Sequence, residues 1–68
     1  MAEEVQRALA ASRYFALRAI RCQYHEGVVT LRGRAPTFYL KQLAQTIVLR
    51  IPGVEEVVNR IQVDSPDE

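Results

Sequence analysis

The stretch Gly27–Val63 decides the fold, and its first ten residues read Gly-Val-Val-Thr-Leu-Arg-Gly-Arg-Ala-Pro. Apolar and polar side chains alternate from Val28 to Arg34, which predicts a strand with one buried face. Gly27 can take the positive φ that a tight turn before this strand needs. Pro36 stops the strand, and we expect Thr37 to cap the N-terminus of a helix.

The expected helix runs from Thr37 to about Ile51. Its apolar residues fall within a stripe of about 100°, the width of a helix face that packs on a core. This stripe contains Leu40, Ala44, Ile47, Val48 and Ile51. Pro52 blocks continuation of the helix, and Gly53 suits a left-handed step after its end. A second alternating strand follows, with one face formed by Val57, Asn59, Ile61 and Val63.

Upstream of this unit, the alternation over 19–25 predicts a strand that pairs with the first one through a Glu26-Gly27 hairpin loop. In this register Cys22 faces Leu31, and Ile20 faces Gly33. A slip by one residue would mix the two faces, so the register is strongly specified. Gly33 then leaves room for a helix to cross the strand closely.

A short helix is expected over 3–11, and Tyr14, Phe15 and Leu17 are expected to pin the following connection to the core. The element order is therefore α-β-β-α-β. Because a strand–helix–strand crossover normally joins parallel strands, we expect an α+β fold with a three-stranded mixed sheet and two helices packed on one face. A 2-1-3 strand order, which would be fully antiparallel, remains the alternative.

Composition sets broad limits. The 68 residues form one domain, expected over 1–63 and followed by an acidic flexible tail at 64–68. Nine basic and eight acidic residues leave a net charge of +1, which requires no particular partner. The first residues have no basic n-region or apolar h-region, so no signal peptide is expected. No apolar run approaches the roughly 20 residues of a membrane-spanning helix.

The sequence lacks a set of residues for catalysis. Cys22 is the single cysteine and His25 the single histidine, and neither has a second ligand or base at suitable spacing. We therefore expect no enzyme activity, no metal and no cofactor, and we interpret Cys22 as a buried thiol. Four other conspicuous residues are expected to serve the structure, namely Gly27, Gly33, Gly53 and Asn59. The Asn59 side chain is expected to bond to the backbone of a nearby loop.

Three segments together resemble a BON domain: the run 24–33, the helix 39–51 and the run 52–61. The family shows a glycine-led strand, a helix rich in alanine, and a Gly-Val step before the closing strand. The resemblance covers about 5–63. It implies a non-catalytic binding module of bacterial envelopes that attaches to phospholipid surfaces. With no export signal and no second copy of the pattern in this sequence, the compartment stays open between cytoplasm and envelope.

Basic residues suggest where such a module could bind. Five of them lie between positions 18 and 41, against a single acid there. In the expected hairpin Arg21 and Arg32 face each other on the solvent side, which is unfavourable unless an anion or a carboxylate lies nearby. This side is either a solvated face or a surface for anionic lipid headgroups, with Arg21, Arg32 and Arg34 as candidate contacts.

Aromatic residues on the second helix suggest another surface. Phe38 and Tyr39 lie off the core-facing stripe, near Lys41, and such an aromatic and basic corner suits a membrane interface. With Leu49 on the same outer side, it suits a partner protein or a second copy equally well. Nucleic acid is not an expected partner, because the chain has no basic excess and no paired aromatics on the sheet.

Overall fold

A computed structural model describes residues 1–64 of the chain. It contains helix α1 (Ala2–Ala10), a 3₁₀ helix (Phe15–Ala19), strands β1 (Arg21–His25) and β2 (Val28–Ala35), helix α2 (Phe38–Leu49) and strand β3 (Glu56–Val63). The predicted α-β-β-α-β order is confirmed. Positions 65–68 of the expected acidic tail lie outside the described residues.

The three strands form one mixed sheet in the order β1-β2-β3. The β1 and β2 strands are antiparallel, and β2 and β3 are parallel, so the 2-1-3 alternative is excluded. Helix α1 packs on β1 and on α2, while α2 packs on β2 and β3. Both helices therefore cover the same face of the sheet, as predicted, and we call the other face the open face.

The hairpin between β1 and β2 has the predicted two-residue loop. Glu26 has φ +48° and Gly27 has φ +86°, and positive values at both central residues are typical of a type I′ turn. The predicted pairing of Cys22 with Leu31 is confirmed. The Gly27 carbonyl also accepts a bond of 2.7 Å from the N–H of Glu55, which fixes the approach to β3 against the hairpin.

The core lies between the helices and the sheet. Its buried apolar side chains are Val5, Leu9, Leu17, Ile20, Val29, Leu31, Ala35, Leu40, Ala44, Val48 and Ile61. Each fully buried aliphatic side chain stabilises the fold by about 1.5–3 kcal/mol relative to an exposed position. The start of α2 is fixed by the predicted cap, because the N–H of Leu40 donates to Thr37 Oγ1 at 3.2 Å.

The connection between α1 and β1 differs from the prediction. Leu17 is fully buried and Tyr14 is half-buried, but Phe15 is 78% exposed and does not pin the connection to the core. The reason is the 3₁₀ helix, in which residues three apart lie on the same side. Phe15 and Arg18 therefore share the outward side, and the Arg18 guanidinium lies 5.3 Å from the centre of the Phe15 ring.

Gly33 and Asn59 were both expected to serve the structure, and the fold shows their neighbours. Gly33 has φ +135°, and the atoms closest to it belong to Ala19, which ends the 3₁₀ helix, and to Ile20, which the predicted register placed opposite Gly33. Asn59 contacts helix α2 and not a loop, because its side-chain amide donates to the Lys41 carbonyl at 2.9 Å. Gly53 has φ +97° and follows α2 in the turn that leads to β3.

Candidate functional site

Three arginines lie side by side across the open face. The pairing of β1 with β2 places Arg21 beside Arg32, and the pairing of β2 with β3 places Arg32 beside Arg60. All three side chains are exposed. Because neighbouring strands are about 4.8 Å apart, the row spans only about 10 Å from its first strand to its third. We call Arg21, Arg32 and Arg60 the arginine row.

The arginine row has no acidic partner within residues 1–64. The acidic contacts in this part of the chain are Glu26 with the His25 ring at 3.8 Å and Asp64 with Arg34 at 3.2 Å. Like charges directly opposite each other on a sheet are unfavourable, and a bound anion would relieve that repulsion. Arg34 lies near the row but is partly neutralised by Asp64, so it contributes less to the attraction of an anion.

Backbone contacts at both ends of β3 fix the register that builds the row. At one end the N–H groups of Glu55 and Glu56 donate to the Gly27 carbonyl. At the other end the N–H of Asp64 donates to the Ala35 carbonyl at 2.9 Å. The sequence predicted that the last strand runs parallel to β2 and placed Arg60 on its outward side, but it did not predict the register that brings Arg60 beside Arg32. The third arginine of the row was therefore missed.

The expected aromatic and basic corner is divided between two sides of α2. Phe38 is 58% exposed and Tyr39 is 60% exposed. The Tyr39 ring lies on the α1 side, where it meets Tyr14 edge-on with the ring centres 6.1 Å apart. Lys41 comes two residues later, so its side chain leaves the helix on a different side from that of Tyr39. The structure thus brings Tyr39 together with Tyr14 and separates it from Lys41.

The neighbouring Tyr14 changes the pKa of the Tyr39 phenol. Hydrogen bonding with the Tyr14 hydroxyl is the largest influence on this group, and it raises the pKa of Tyr39 above its usual value. A phenol with a raised pKa stays neutral around pH 7. Tyr39 therefore offers an uncharged ring and hydroxyl to any surface that approaches the start of α2.

The chain path brings the arginines and the exposed aromatic residues to one end of the domain. At this end β1 begins, β2 and β3 end, α2 begins, and the 3₁₀ helix enters β1. We call it the basic end, and its exposed members include Phe15, Arg18, Phe38, Tyr39 and the arginine row. The opposite end holds the hairpin loop and the start of β3, with Glu26, Glu55 and Glu56. We call it the acidic end.

Cys22 and His25, the single cysteine and the single histidine, lie in different surroundings. Cys22 is half-buried, its thiol donates to Gln6 Oε1 at 3.3 Å, and burial raises the pKa of this thiol. The His25 side chain is 86% exposed beside the hairpin loop. Residues 1–64 contain no cluster of three or more side chains suited to hold a metal ion. None of the three helices within residues 1–64 is long and apolar enough to cross a bilayer.

Comparison with known proteins agrees with this architecture. The family model of the BON domain matches residues 1–65, which is essentially the whole chain. The chain therefore belongs to the BON domain family, a family of binding modules. A search of curated proteins finds no match to this sequence.

Proposed function

We propose that this domain attaches peripherally to anionic phospholipid surfaces through the open face of its sheet, without catalysis. The observation that carries this proposal is the arginine row, three exposed guanidinium groups with no carboxylate partner within residues 1–64. Each arginine close to an anionic bilayer contributes about 1 kcal/mol of attraction. Three of them favour a weak and reversible attachment that weakens with added salt.

The exposed aromatic side chains at the basic end support the same surface. Phe15 lies next to Arg18, and Phe38 and Tyr39 begin α2 at the end where the row is located. Aromatic rings are favoured at the boundary between headgroups and acyl chains. Phosphates would meet Arg21 and Arg32 first, while the rings lie toward the edge of the contact.

Vesicle co-sedimentation tests this function with two double variants of equal charge. Arg21→Gln with Arg32→Gln removes two members of the row. Arg7→Gln with Arg50→Gln removes two exposed arginines elsewhere, one on α1 and one directly after α2. At about 1 kcal/mol per arginine, we expect the first pair to weaken binding to anionic vesicles by about 30-fold at low salt.

The control pair should change vesicle binding much less, and neutral vesicles should bind no variant well. Equal losses in both double variants would mean that only the net charge matters. If Arg21→Gln with Arg32→Gln leaves vesicle binding unchanged while Phe38→Ser with Tyr39→Ser weakens it, the lipid-binding site lies at Phe38 and Tyr39 instead. Equal affinity for anionic and neutral vesicles would overturn the proposal.

A second candidate function is protein–protein interaction, favoured by the outer side of α2. Phe38 and Leu49 are 58% and 45% exposed on this side, eleven positions apart and on one helix stripe. Apolar side chains exposed together on a small domain mark a contact surface. Binding of one partner that is lost with Leu49→Glu but kept with Arg21→Gln would favour this function over the lipid surface.

A further inference from the structure

We propose that two copies of this domain pair through the outer edge of β3 and form a two-fold dimer with a six-stranded sheet. The β3 strand has eight residues, contains no proline and lies at the edge of the sheet. Within residues 1–64, only β2 pairs with it. A long edge strand with unpaired N–H and C=O groups is a template for another strand.

The backbone contacts of β3 show which groups face outward. The N–H groups of Glu56 and Asp64 both donate to residues beside β2, so even-numbered positions point toward β2. Backbone groups alternate in direction along a strand, and the groups of Val57, Asn59 and Ile61 therefore point away from β2. The N–H of Ile61 agrees with this direction, because it donates to Asn59 Oδ1 at 3.2 Å.

If a second copy pairs antiparallel with Asn59 at the centre, the outward-facing backbone groups of the two β3 strands lie opposite each other. Asn59 of each copy lies opposite Asn59 of the other, and the two residues exchange backbone hydrogen bonds. Beside them, the N–H of Val57 donates to the partner's Ile61 carbonyl, while the N–H of Ile61 keeps its bond to Asn59 Oδ1. On the core face, Val57 of each copy then lies opposite Ile61 of the other. Val58 lies opposite Arg60 on the open face, so no like charges oppose each other across the new contact.

Helix α2 carries a matching stripe above this edge. Phe38, Gln42, Gln45 and Leu49 recur at helical spacing, and Gln45 Oε1 accepts from the Asn59 amide at 3.2 Å. This bond locates the stripe on the β3 side of the helix. A shallow groove of about 290 Å³ runs along it, lined by Gln42, Gln45, Thr46 and Leu49.

The strand contact and the helix contact share one symmetry axis. Asn59 bonds to α2 at Lys41 and Gln45, which places it opposite the middle of the helix. A two-fold axis at Asn59 therefore runs the two α2 helices antiparallel, with Phe38 of one copy facing Leu49 of the other. Helix α2 packs on both β2 and β3, so its centre lies over the gap between them, about 5 Å from this axis. The two α2 helices are then about 10 Å apart, which is a normal packing distance.

The occupant is a second copy because the two halves of the surface complement each other. The exposed apolar residues lie at opposite ends of the stripe, with glutamine side chains between them that can pair across the axis. The axis stands perpendicular to the sheet, so both open faces remain uncovered and turn to the same side. The dimer therefore does not depend on the lipid function, and each can fail alone.

Analytical ultracentrifugation over a range of protein concentrations tests the dimer. We expect a monomer–dimer equilibrium in the wild type, and at least about tenfold weaker dimerisation in Leu49→Glu and in Phe38→Lys. Phe15→Glu is the matched control, since it changes an exposed apolar residue away from β3 and should leave dimerisation unchanged. A wild type that remains a monomer at every concentration would overturn the proposal.

Mixing the two interface variants provides a sharper test. Because Phe38 of one copy faces Leu49 of the other, a mixture of Phe38→Lys and Leu49→Glu should form a heterodimer in which one contact becomes an ion pair. Hydrogen exchange should also show that the amides of Val57 and Asn59 gain protection as the wild-type concentration rises. A dimer without that protection, or a mixture that stays monomeric, would contradict pairing through β3.

Discussion

The side-chain amide of Asn59 donates a hydrogen bond of 2.9 Å to the backbone carbonyl of Lys41, and this bond ties β3 to α2. The Asn59 oxygen also accepts the N–H of Ile61 at 3.2 Å. Asn59→Ala removes both of these bonds and the bond from the Asn59 amide to Gln45 Oε1. Because part-buried polar groups then lose their partners, we expect a loss of about 1–3 kcal/mol in the free energy of unfolding, measured with urea.

A control for this loss is available on the same strand. Gln62 points to the open face and is exposed, so Gln62→Ala should change the free energy of unfolding by no more than about 0.5 kcal/mol. If Asn59→Ala cost as little as Gln62→Ala, the bonds between β3 and α2 would contribute nothing to stability.

The close approach at Gly33 gives a second prediction. Both Gly33 and Gly53 have positive φ, so an added Cβ strains the backbone at either position by about 1–2 kcal/mol. At Gly33 the Cβ would also lie 3.3 Å from the buried Ile20 side chain, whereas at Gly53 it meets only the flexible tip of Met1. Thermal unfolding should therefore show a larger loss for Gly33→Ala than for Gly53→Ala, and the reverse order would argue against this contact.

Repulsion within the arginine row gives a third prediction. Replacing Arg21 and Arg32 by Gln should raise the free energy of unfolding by about 0.2–1 kcal/mol at low salt, since like charges lie opposite each other. The gain should shrink toward 1 M salt, where the screening length falls to about 3 Å. A destabilised double variant would instead indicate that the aliphatic parts of these arginines stabilise the sheet by more than their charges destabilise it.

The half-buried thiol of Cys22 gives a prediction about pH. Burial raises the pKa of Cys22, so the folded state holds the thiol proton more tightly than the unfolded chain does. The stability from this difference is present below the usual thiol pKa and is lost as the pH rises through and above it. From pH 7 to pH 10, the free energy of unfolding of the wild type should therefore fall relative to that of Cys22→Ala. Parallel pH curves for the two proteins would contradict it.

The parts of the fold that local chemistry controls could be predicted from the sequence. A two-residue loop sets the hairpin register, and Thr37 starts α2 through a contact within its own first turn. The exposure of Phe15 could not be predicted in the same way. It depends on the 3₁₀ helix, which has no strong sequence pattern in so short a segment.

The candidate site was predictable only within one hairpin. The pairing of Arg21 with Arg32 follows from the loop length, but the place of Arg60 depends on a crossover through α2. A crossover of that length does not set the strand order by itself, so contacts distant in sequence decide it. The contact of Tyr39 with Tyr14 likewise joins segments that only the tertiary fold brings together.

Within residues 1–64, the separation of a basic end from an acidic end gives the domain an electric dipole moment, which Asp64 at the basic end and Arg50 at the acidic end reduce. A net charge of +1 attracts the domain only weakly to an anionic surface. The dipole instead exerts a torque, which turns the arginine-bearing end forward once the domain comes within a screening length of about 8 Å. If the domain attaches to anionic phospholipid as proposed, more collisions with such a surface would begin with the arginine row forward, and the association rate would rise without any increase in overall charge.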